Sequence, residues 1–286
     1  METSTKNLLK FFILPLLLLA IVLYVADRQI SPDFLLHVDF LDVGQGDSIF
    51  IQTYQGRQMV IDGGPSDQVL SELGKVMPFF DRSIDVLMLT HPDADHVSGF
   101  SDILKRYKVG KVLITGVTAP TAAYRSFASL VDQKHIEKIY IHEGDRVWLD
   151  NATVFDIYYP PQSVIDDKSQ ATNDTSINGK LSFGKTSFFF TGDASSIVDD
   201  YIVPRYNLDS DVLKVPHHGS KTSTSTELLQ DISPKYAVIE VGAKNNYGHP
   251  TQEVLDRLKA IGAQILRTDQ DHTIKFTSDG TNLVKQ

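Results

Sequence analysis

Cysteine is absent from the 286-residue chain. The chain therefore has no disulfide framework and offers neither a thiolate nucleophile nor a thiolate metal ligand. This absence is compatible with an exported protein and with many cytoplasmic ones. The sequence also lacks the Gly-x-Ser-x-Gly elbow of serine hydrolases and the lysine motif of a phosphate-binding loop. Hydrolysis through a serine or cysteine nucleophile is thereby disfavoured.

Basic residues are fewer than acidic ones. There are 27 lysines and arginines against 36 aspartates and glutamates, which gives a formal net charge of −9. A protein that binds nucleic acid without sequence preference usually presents a basic surface. The composition does not indicate such a surface, although carboxylates that bind divalent cations would make a local site more positive than the total suggests.

The N-terminal apolar segment is short for a membrane span. Lys6 and Lys10 precede Phe11 to Ala26, sixteen residues without charge. This length lies between that of a signal-peptide core and that of a comfortable span. Cleavage after Ala26 would place Tyr24 at the −3 position, where a small residue is needed. We therefore expect an uncleaved signal anchor, and a cleaved signal peptide with a secreted protein is the alternative.

The positive charge ahead of this segment predicts that the N terminus lies in the cytoplasm and the rest of the chain outside the cell. The protein would then be a single-pass protein of the cell membrane, held there by its N-terminal helix. The expected organisation is a cytoplasmic tail at residues 1–7, a transmembrane anchor at 8–26, a linker at 27–34 and one catalytic domain at 35–286.

A cluster of possible metal ligands follows one apolar segment. The run Ile84–Leu89 is typical of a buried strand, and His91, Asp93, Asp95 and His96 come within six positions shortly after it. A strand that ends in a short, ligand-rich loop can aim imidazole nitrogens and carboxylate oxygens at one or two divalent ions. The alternative is a polar turn that happens to be rich in histidine and aspartate.

The same arrangement recurs along the chain, where apolar runs end in glycine or proline beside histidine or aspartate. In α/β folds such strand ends meet in one crevice, where sites form. Strand-like runs alternate with probable helices at about 66–77, 99–107, 121–133, 222–230 and 251–260, which predicts a single α/β domain. The further junctions are Met59–Ile61 before Asp62, Ser187–Phe190 before Asp193, Asp211–Val215 before His217 and His218, and Tyr236–Val241 before His249.

In chain order, His-x-Asp-x-Asp-His at 91–96, Thr-Gly-Asp at 191–193 and Pro-His-His-Gly-Ser at 216–220 resemble the motifs of metallo-β-lactamase-fold hydrolases. The resemblance is closer to the extracellular hydrolase domain of ComEC-type competence proteins of DNA uptake, which carry motifs like Val43–Ser48 and Asn246–Pro250. It covers nearly the whole chain after the N-terminal segment and leaves out the many membrane helices of the competence channel. It implies a stand-alone relative with an αββα four-layer sandwich and metal ions at one edge.

The resemblance also implies a pair of metal ions held by residues of these motifs: His91 and Asp93 for the first ion, Asp95, His96 and His217 for the second, and Asp193 as the bridge between them. His217 is preferred to His218, the alternative, because it directly follows the rigid segment Val215-Pro216. Asp62 is expected to orient ligands by hydrogen bonds.

The first ion has fewer ligands than the family usually supplies. The usual family has histidine in the place of Asp93, although the ComEC branch shares this aspartate. It also has a further histidine ahead of the bridging aspartate, and the nearest equivalent region, 173–176, contains none. We therefore expect the first site to bind its ion more weakly than the second, or to be completed by water or substrate.

Nitrogen and oxygen ligands suit zinc, manganese or iron, and the large carboxylate share favours manganese. We expect one or two divalent ions, zinc or manganese. Two ions about 3.5–4 Å apart can hold a hydroxide and polarise a phosphoryl or carbonyl oxygen. The predicted reaction is direct attack by this metal-activated hydroxide, without a covalent enzyme intermediate.

Several residues of these motifs are candidates for the chemistry itself. Asp95 and Asp193 are the predicted catalytic carboxylates. His249 is expected to protonate the leaving oxygen or stabilise charge, or else to be a loop histidine. Candidates for positioning the substrate, each with a purely structural alternative, are Lys214, Ser220, Asn245 and Tyr247.

Three functions follow from these expectations. The first is an outward-facing, membrane-anchored phosphodiesterase or nuclease, and its phosphodiester substrate, possibly extracellular DNA, comes mainly from the resemblance. The second is hydrolysis of a cell-envelope phosphoester, lactone or thioester, which the acidic composition favours slightly over long DNA. The third is a catalytically silent surface binding module, which the incomplete first site supports.

Overall fold

The structure of the protein, a computed structural model, describes residues 11–20, 34–167 and 169–286. Residues 11–20 form a helix, α1, whose mostly apolar side chains are exposed. The rest of the described chain forms two β-sheets with helices on their outer faces.

The predicted anchor lies partly within the described residues. Of residues 8–26, those at 8–10 and 21–26 lie outside the described residues, as do the tail 1–7 and the linker 27–34 except for Phe34. In the described parts of the chain, no helix is both long and apolar enough to cross a bilayer.

The first sheet has eight described strands in the order β15-β14-β1-β2-β3-β4-β5-β6. Strands β3, β4, β5 and β6 are mutually parallel, so their carboxyl ends lie at one edge. The bounds are β1 (Leu36–Phe40), β2 (Ile49–Gln52), β3 (Gln58–Ile61), β4 (Ser83–Met88), β5 (Lys108–Ile114), β6 (Glu137–Tyr140), β14 (Ile274–Ser278) and β15 (Leu283–Lys285).

The second sheet has seven described strands in the order β13-β12-β11-β10-β9-β8-β7. Here β10, β11, β12 and β13 are parallel, and their carboxyl ends again share one edge. The bounds are β7 (Arg146–Trp148), β8 (Thr153–Tyr159), β9 (Asn178–Phe183), β10 (Thr186–Phe190), β11 (Val212–Lys214), β12 (Tyr236–Ile239) and β13 (Gln264–Arg267).

Helices and short 3-10 turns connect these strands. The helices are α2 (Gln68–Val76), α3 (Ala94–Val97), α4 (Phe100–Arg106), α5 (Ala122–Gln133), α6 (Gln162–Asp166), α7 (Ser196–Ile202), α8 (Thr226–Ile232), α9 (Gln252–Ala260) and α10 (Thr268–Asp271). The 3-10 turns are Thr172–Thr175 and Pro216–Gly219.

Three apolar clusters bind the layers together. One lies between the sheets and contains residues of both, such as Val38 and Phe188. A second joins the outer face of the first sheet to α2, α4 and α5, and a third joins the outer face of the second sheet to α7, α8 and α9. Strands covered on both faces, such as β3 and β12, are fully buried and mostly apolar. The predicted α/β fold with two sheets and flanking helices is confirmed.

Candidate metal centre

The carboxyl ends of the parallel strands in both sheets converge on one buried polar cluster. Asp62 follows β3, the segment 91–96 follows β4, Asp193 follows β10, and the His217-His218 pair follows β11. Glu240 directly follows β12. The strand ends predicted from the sequence to meet in one crevice therefore do meet.

Asp62 organises the first-sheet side of the cluster. Its backbone φ is 57°, a left-handed conformation that aspartate tolerates. Oδ1 accepts a hydrogen bond from the Thr90 amide at 2.8 Å, and Oδ2 accepts from the Thr90 hydroxyl at 2.6 Å. Oδ2 also accepts from His96 Nδ1 at 2.8 Å. Nε2 of His96 is thereby turned towards the centre, which is the orienting role expected of Asp62.

Four side chains form a compact group that could hold one ion. One ligand atom from each of Asp95, His96, Asp193 and His218 lies within 4.8 Å of the others. Nε2 of His96 is 3.3 Å from Asp193 Oδ2, and Nε2 of His218 is 3.4 Å from the same oxygen. His218 Nε2 is also 3.5 Å from Asp95 Oδ2.

The tandem histidines have different positions. His218 is buried, and its Nδ1 donates to the Glu240 carbonyl at 2.8 Å, which leaves Nε2 facing the centre. His217 is partly exposed, with its Nε2 3.9 Å from Asp193 Oδ2 and 3.3 Å from Asn173 Nδ2. The residue grouped with Asp95 is thus His218, the sequence-based alternative, while the preferred His217 lies at the rim.

His91 and Asp93 lie beside this group. His91 is buried, and its Nε2 is 3.9 Å from Asp93 Oδ2. Burial, together with the neighbouring His96, lowers the pKa of His91 to about 3, so the imidazole is neutral at neutral pH. A neutral imidazole is the form that coordinates metals.

Three histidines share one orientation. Thr90 Oγ1 gives its hydrogen to Asp62 and lies 3.0 Å from His91 Nδ1, so Nδ1 of His91 is the donor of that pair. With the donors already described on His96 and His218, each ring uses Nδ1 outward and presents Nε2 inward. These three Nε2 atoms, and Oδ1 of Asp193, are buried and have no hydrogen-bond partner among the described residues.

Buried polar atoms without hydrogen-bond partners are costly in a folded protein. Burial alone would lower the pKa of His96, but Asp193, Asp62 and Asp47 raise it well above its ordinary value. The carboxylates thus attract positive charge into the centre. Imidazole nitrogens and carboxylate oxygens converging on one point suit a divalent ion such as zinc or manganese. The residues therefore fit the metal that the motifs imply.

A buried carboxylate that the sequence analysis did not assign to the site lies beneath the cluster. Asp47 forms a close ion pair with Lys214, and its Oδ1 is 3.3 Å from His218 Nδ1. Asp47 also groups with Asp62 and His96 as a possible ligand set. Its signal was the Gly-Asp pair within the motif 43–48, which marked the family but was given no role.

Lys214 lies inside the protein rather than at the substrate-binding surface. Its side chain is 1% exposed and donates to the Gly192 carbonyl at 3.1 Å. Besides Asp47, its ammonium lies 3.8 Å from Asp193 Oδ1, with Glu240 also nearby. These carboxylates raise the pKa of Lys214 against the effect of burial. Lys214 therefore neutralises the base of the cluster, and the expectation that it meets the substrate does not fit its burial.

Three candidates for substrate contact or catalysis, Asn245, Tyr247 and His249, occupy one loop at the rim. The His249 ring lies 5.8 Å from that of His217, and the exposed Tyr247 stacks on His249 at 5.9 Å. Burial, and then His217, lower the pKa of His249. Asn245 instead stabilises the loop by hydrogen bonds. Its Nδ2 donates to the His249 carbonyl at 2.8 Å, and its Oδ1 accepts from the His249 amide at 3.0 Å. Ser220 is buried and pairs with the Thr222 hydroxyl at 3.0 Å.

Known proteins match this chain over most of its length. Residues 41–242 match the family model of the metallo-beta-lactamase superfamily. ComE operon protein 3 of Bacillus subtilis (strain 168) is 32% identical over 259 residues, which cover 84% of this chain and 32% of that protein. Competence protein ComA of Neisseria gonorrhoeae is 31% identical over 242 residues, which cover 82% and 31%.

The chain thus spans about a third of the length of these relatives. Their names and the matched regions confirm the resemblance to ComEC-type competence proteins. Among solved structures, the metallo-beta-lactamase fold protein YhfI from Bacillus subtilis superposes with a TM-score of 0.58 at 11% identity. That match covers 85% of this chain and 99% of YhfI, and it supports the fold.

Proposed function

Because the chain belongs to the metallo-beta-lactamase superfamily, we propose that its buried cluster binds divalent metal ions and hydrolyses phosphodiesters. The observation that carries this proposal is the compact group of Asp95, His96, Asp193 and His218. In it, Nε2 of His96 and Nε2 of His218 lie 3.3 and 3.4 Å from Asp193 Oδ2, and neither nitrogen has a hydrogen-bond partner among the described residues. Superfamily membership supports the hydrolase class, and the phosphodiester is the finer part of the proposal.

The proposed ligands divide into a compact and a looser set. Asp95, His96 and His218 would hold one ion with Asp193. His91 and Asp93 would hold a second, weaker ion that shares Asp193, with His217 at its rim. The chemistry that a bound divalent ion supplies is a lowered pKa for water and compensation of charge on a phosphoryl oxygen.

The other residues of the site act by orientation and charge. Asp62 fixes the tautomer and direction of His96, and the Glu240 carbonyl does the same for His218. Lys214 and Asp47 balance each other beneath the ligands. At the rim, His249 is neutral at neutral pH because its pKa is lowered. It therefore suits donation of a hydrogen bond to a phosphoryl or leaving oxygen better than delivery of a proton from an imidazolium.

The substrate class is supported by the relatives. One of them is named a competence protein, and DNA is the phosphodiester that the family resemblance implies. We propose that the domain acts outside the cell, tethered to the membrane by its N-terminal segment. The net charge of −9 supports a second candidate, a smaller phosphoester of the cell envelope, because an acidic surface repels long DNA.

The proposal is tested with full-length protein purified in detergent without chelators. Metal content is measured by elemental analysis, and turnover is measured on bis-p-nitrophenyl phosphate, DNA and a panel of phosphomonoester, lactone and thioester substrates. We expect manganese- or zinc-dependent hydrolysis of the phosphodiesters that EDTA and Asp193→Ala abolish. Asp199→Asn, at a buried carboxylate on α7, is the matched control and should retain activity.

Three outcomes separate the candidate functions. Hydrolysis of DNA and the model diester supports the first. Turnover of small esters alone supports the second. Folded protein that holds one ion or none and turns over no substrate would contradict hydrolysis and favour a silent binding module.

A further inference from the structure

The end of the domain opposite the metal centre carries an exposed aromatic pair. Phe79 and Phe80, in the loop between α2 and β4, are 66% and 71% exposed. Their rings meet edge to face with centroids 5.0 Å apart. Two adjacent exposed phenylalanines at a loop tip present an apolar surface to solvent, which is a feature of interaction sites.

Two arginines and a cavity adjoin this pair. The cavity has a volume of about 280 Å³ and is lined by Leu70, Met77, Phe79, Arg82, Arg106 and Tyr107, among others, with no carboxylate. Arg82 and Arg106 are exposed. Neither forms an ion pair with a carboxylate in the described part of the chain. The nearest acidic side chain in the loop, Asp81, is engaged by Ser83 and Gln58.

The loop surface is thus apolar at its tip and cationic at its base, although the formal net charge of the chain is −9. An anionic bilayer has the complementary order, with an apolar interior below a layer of phosphates. Phenylalanines of interfacial segments bury at the boundary between headgroups and acyl chains, and arginines favour the phosphates above it.

The sheet register places the start of the folded domain at the same end. His37 in β1 pairs with Gln52, which pairs with Gln58. The next residue of β3, Met59, pairs with Val86. Phe34, which is 69% exposed, therefore lies at the edge of the sheet where β4 begins. Its distance from the start of β4 is three strand spacings, or about 15 Å.

Thirteen residues, 21–33, separate Phe34 from the apolar helical residues 11–20. A chain of that length reaches at most about 45 Å. A bilayer that holds residues 11–20 is therefore within reach of this end of the domain, where Phe34 lies. The strand β4 runs from this end to the centre, so the two are about 20 Å apart along the six residues of the strand.

We propose that Phe79, Phe80, Arg82 and Arg106 form a lipid-docking surface that rests on an anionic membrane. The phenylalanines enter the interfacial region, the arginines contact lipid phosphates, and the metal centre points away from the bilayer. This orientation leaves the site open to substrates that arrive from the surrounding solution.

The absence of cysteine makes a direct test possible. Phe80→Cys in the full-length chain is labelled with an environment-sensitive fluorophore and reconstituted into vesicles of phosphatidylcholine with phosphatidylglycerol. Thr118→Cys, at an exposed position beyond the carboxyl end of β5, is the matched control. Quenching by nitroxide-bearing lipid reports proximity to the bilayer, and quenching by iodide reports exposure to water.

We expect the label at position 80 to be quenched by the nitroxide lipid and shielded from iodide, and the label at position 118 to show the reverse. Each of Arg82→Gln and Arg106→Gln in the Phe80→Cys background should weaken docking by roughly fivefold, the contribution of one cation near an anionic surface. Vesicles of phosphatidylcholine alone should weaken it further.

Other outcomes would overturn the proposal. A label at position 80 that iodide reaches as readily as at position 118 excludes docking. Shielding that appears in detergent as protein concentration rises, without vesicles, identifies a second copy of the chain as the occupant. Docking that is equal with and without anionic lipid excludes the role of the arginines. These readings do not depend on hydrolysis, so they stand or fall separately from the proposed activity.

Discussion

Replacing Asp62 with asparagine tests whether the metal centre depends on the carboxylate behind His96. Asp62 accepts three hydrogen bonds, two from Thr90 and one from His96 Nδ1. Asparagine has one acceptor oxygen and one NH₂ group. At least one of the three donors would therefore face another donor, or the His96 ring would change tautomer and carry its proton on Nε2, the atom aimed at the centre.

The expected effect of Asp62→Asn is a loss of metal affinity. Outer partners of metal-ligating histidines typically contribute 10- to 100-fold in metal affinity, which corresponds to about 1.4–2.8 kcal/mol of binding free energy. Asparagine tolerates the left-handed backbone conformation of position 62, where φ is 57°, so Asp62→Asn adds no backbone strain. The change is thus confined to the hydrogen bonds and the charge.

Competition between the protein and a fluorescent chelator measures the affinity for manganese and zinc at neutral pH. Asp199→Asn is the control, because Asp199 is also buried and accepts from the Ser225 amide at 2.8 Å outside the cluster. Thermal unfolding of both variants shows whether the fold is retained. Folded Asp62→Asn with the affinity of the parent protein would refute the orienting role and reduce Asp62 to a turn residue.

Further predictions concern the ligands and the fold around them. His218→Ala should lower metal affinity, measured by the same competition, more than His217→Ala; the opposite ranking would return the ligand role to His217. Lys214→Met should lower the free energy of unfolding in urea by about 3–5 kcal/mol, because it removes the buried ammonium that pairs with Asp47; a loss below about 1 kcal/mol would contradict this. Gly46→Ala should destabilise the protein, since φ is 151° and a Cβ would lie 2.2 Å from the Asp95 carbonyl oxygen, whereas Gly74→Ala, in open space within α2, should stabilise it by about 0.5–1 kcal/mol in the same assay.

Much of the site could be located from the sequence because the buried parallel strands that lead to it have mostly apolar sequences. The predicted run 84–89 corresponds to β4, and 187–190 lies within β10. Where such strands are covered on both faces, apolar residues dominate them and most polar residues lie towards the strand ends. The end of each run therefore marked the edge of the sheet where the ligands collect.

Helix α7 was not predicted, although its start carries a local signal. Ser195 accepts a hydrogen bond from the Ile197 amide and begins the helix at Ser196. The helix has only seven residues, and its buried face consists of Val198, Asp199 and Ile202. A segment so short has too few apolar positions to show a helical period, because most of its stability comes from packing on the second sheet.

Buried ionisable residues were harder to recognise than metal ligands. Glu240 is buried at the end of the apolar run 236–241, and Lys214 is the last residue of β11. A lysine beside ligand motifs reads equally well as a surface group or a phosphate contact. Its burial depends on Asp47, which is distant in sequence and comes from the other sheet, so only the assembled fold shows that the two charges compensate each other.

The choice between His217 and His218 as the inward-facing residue likewise depends on a contact that only the assembled fold shows. The rigid Val215-Pro216 segment favoured the nearer histidine as the inward ligand. Both histidines, however, have left-handed backbone conformations, with φ of 51° and 53°, so the chain reverses between the strand and the rings. Which ring then faces the centre is decided by the Glu240 carbonyl, which accepts from His218 Nδ1 across the neighbouring strand. The order of residues within a tandem pair therefore fixes neither ligand, because the deciding hydrogen bond lies 22 positions away.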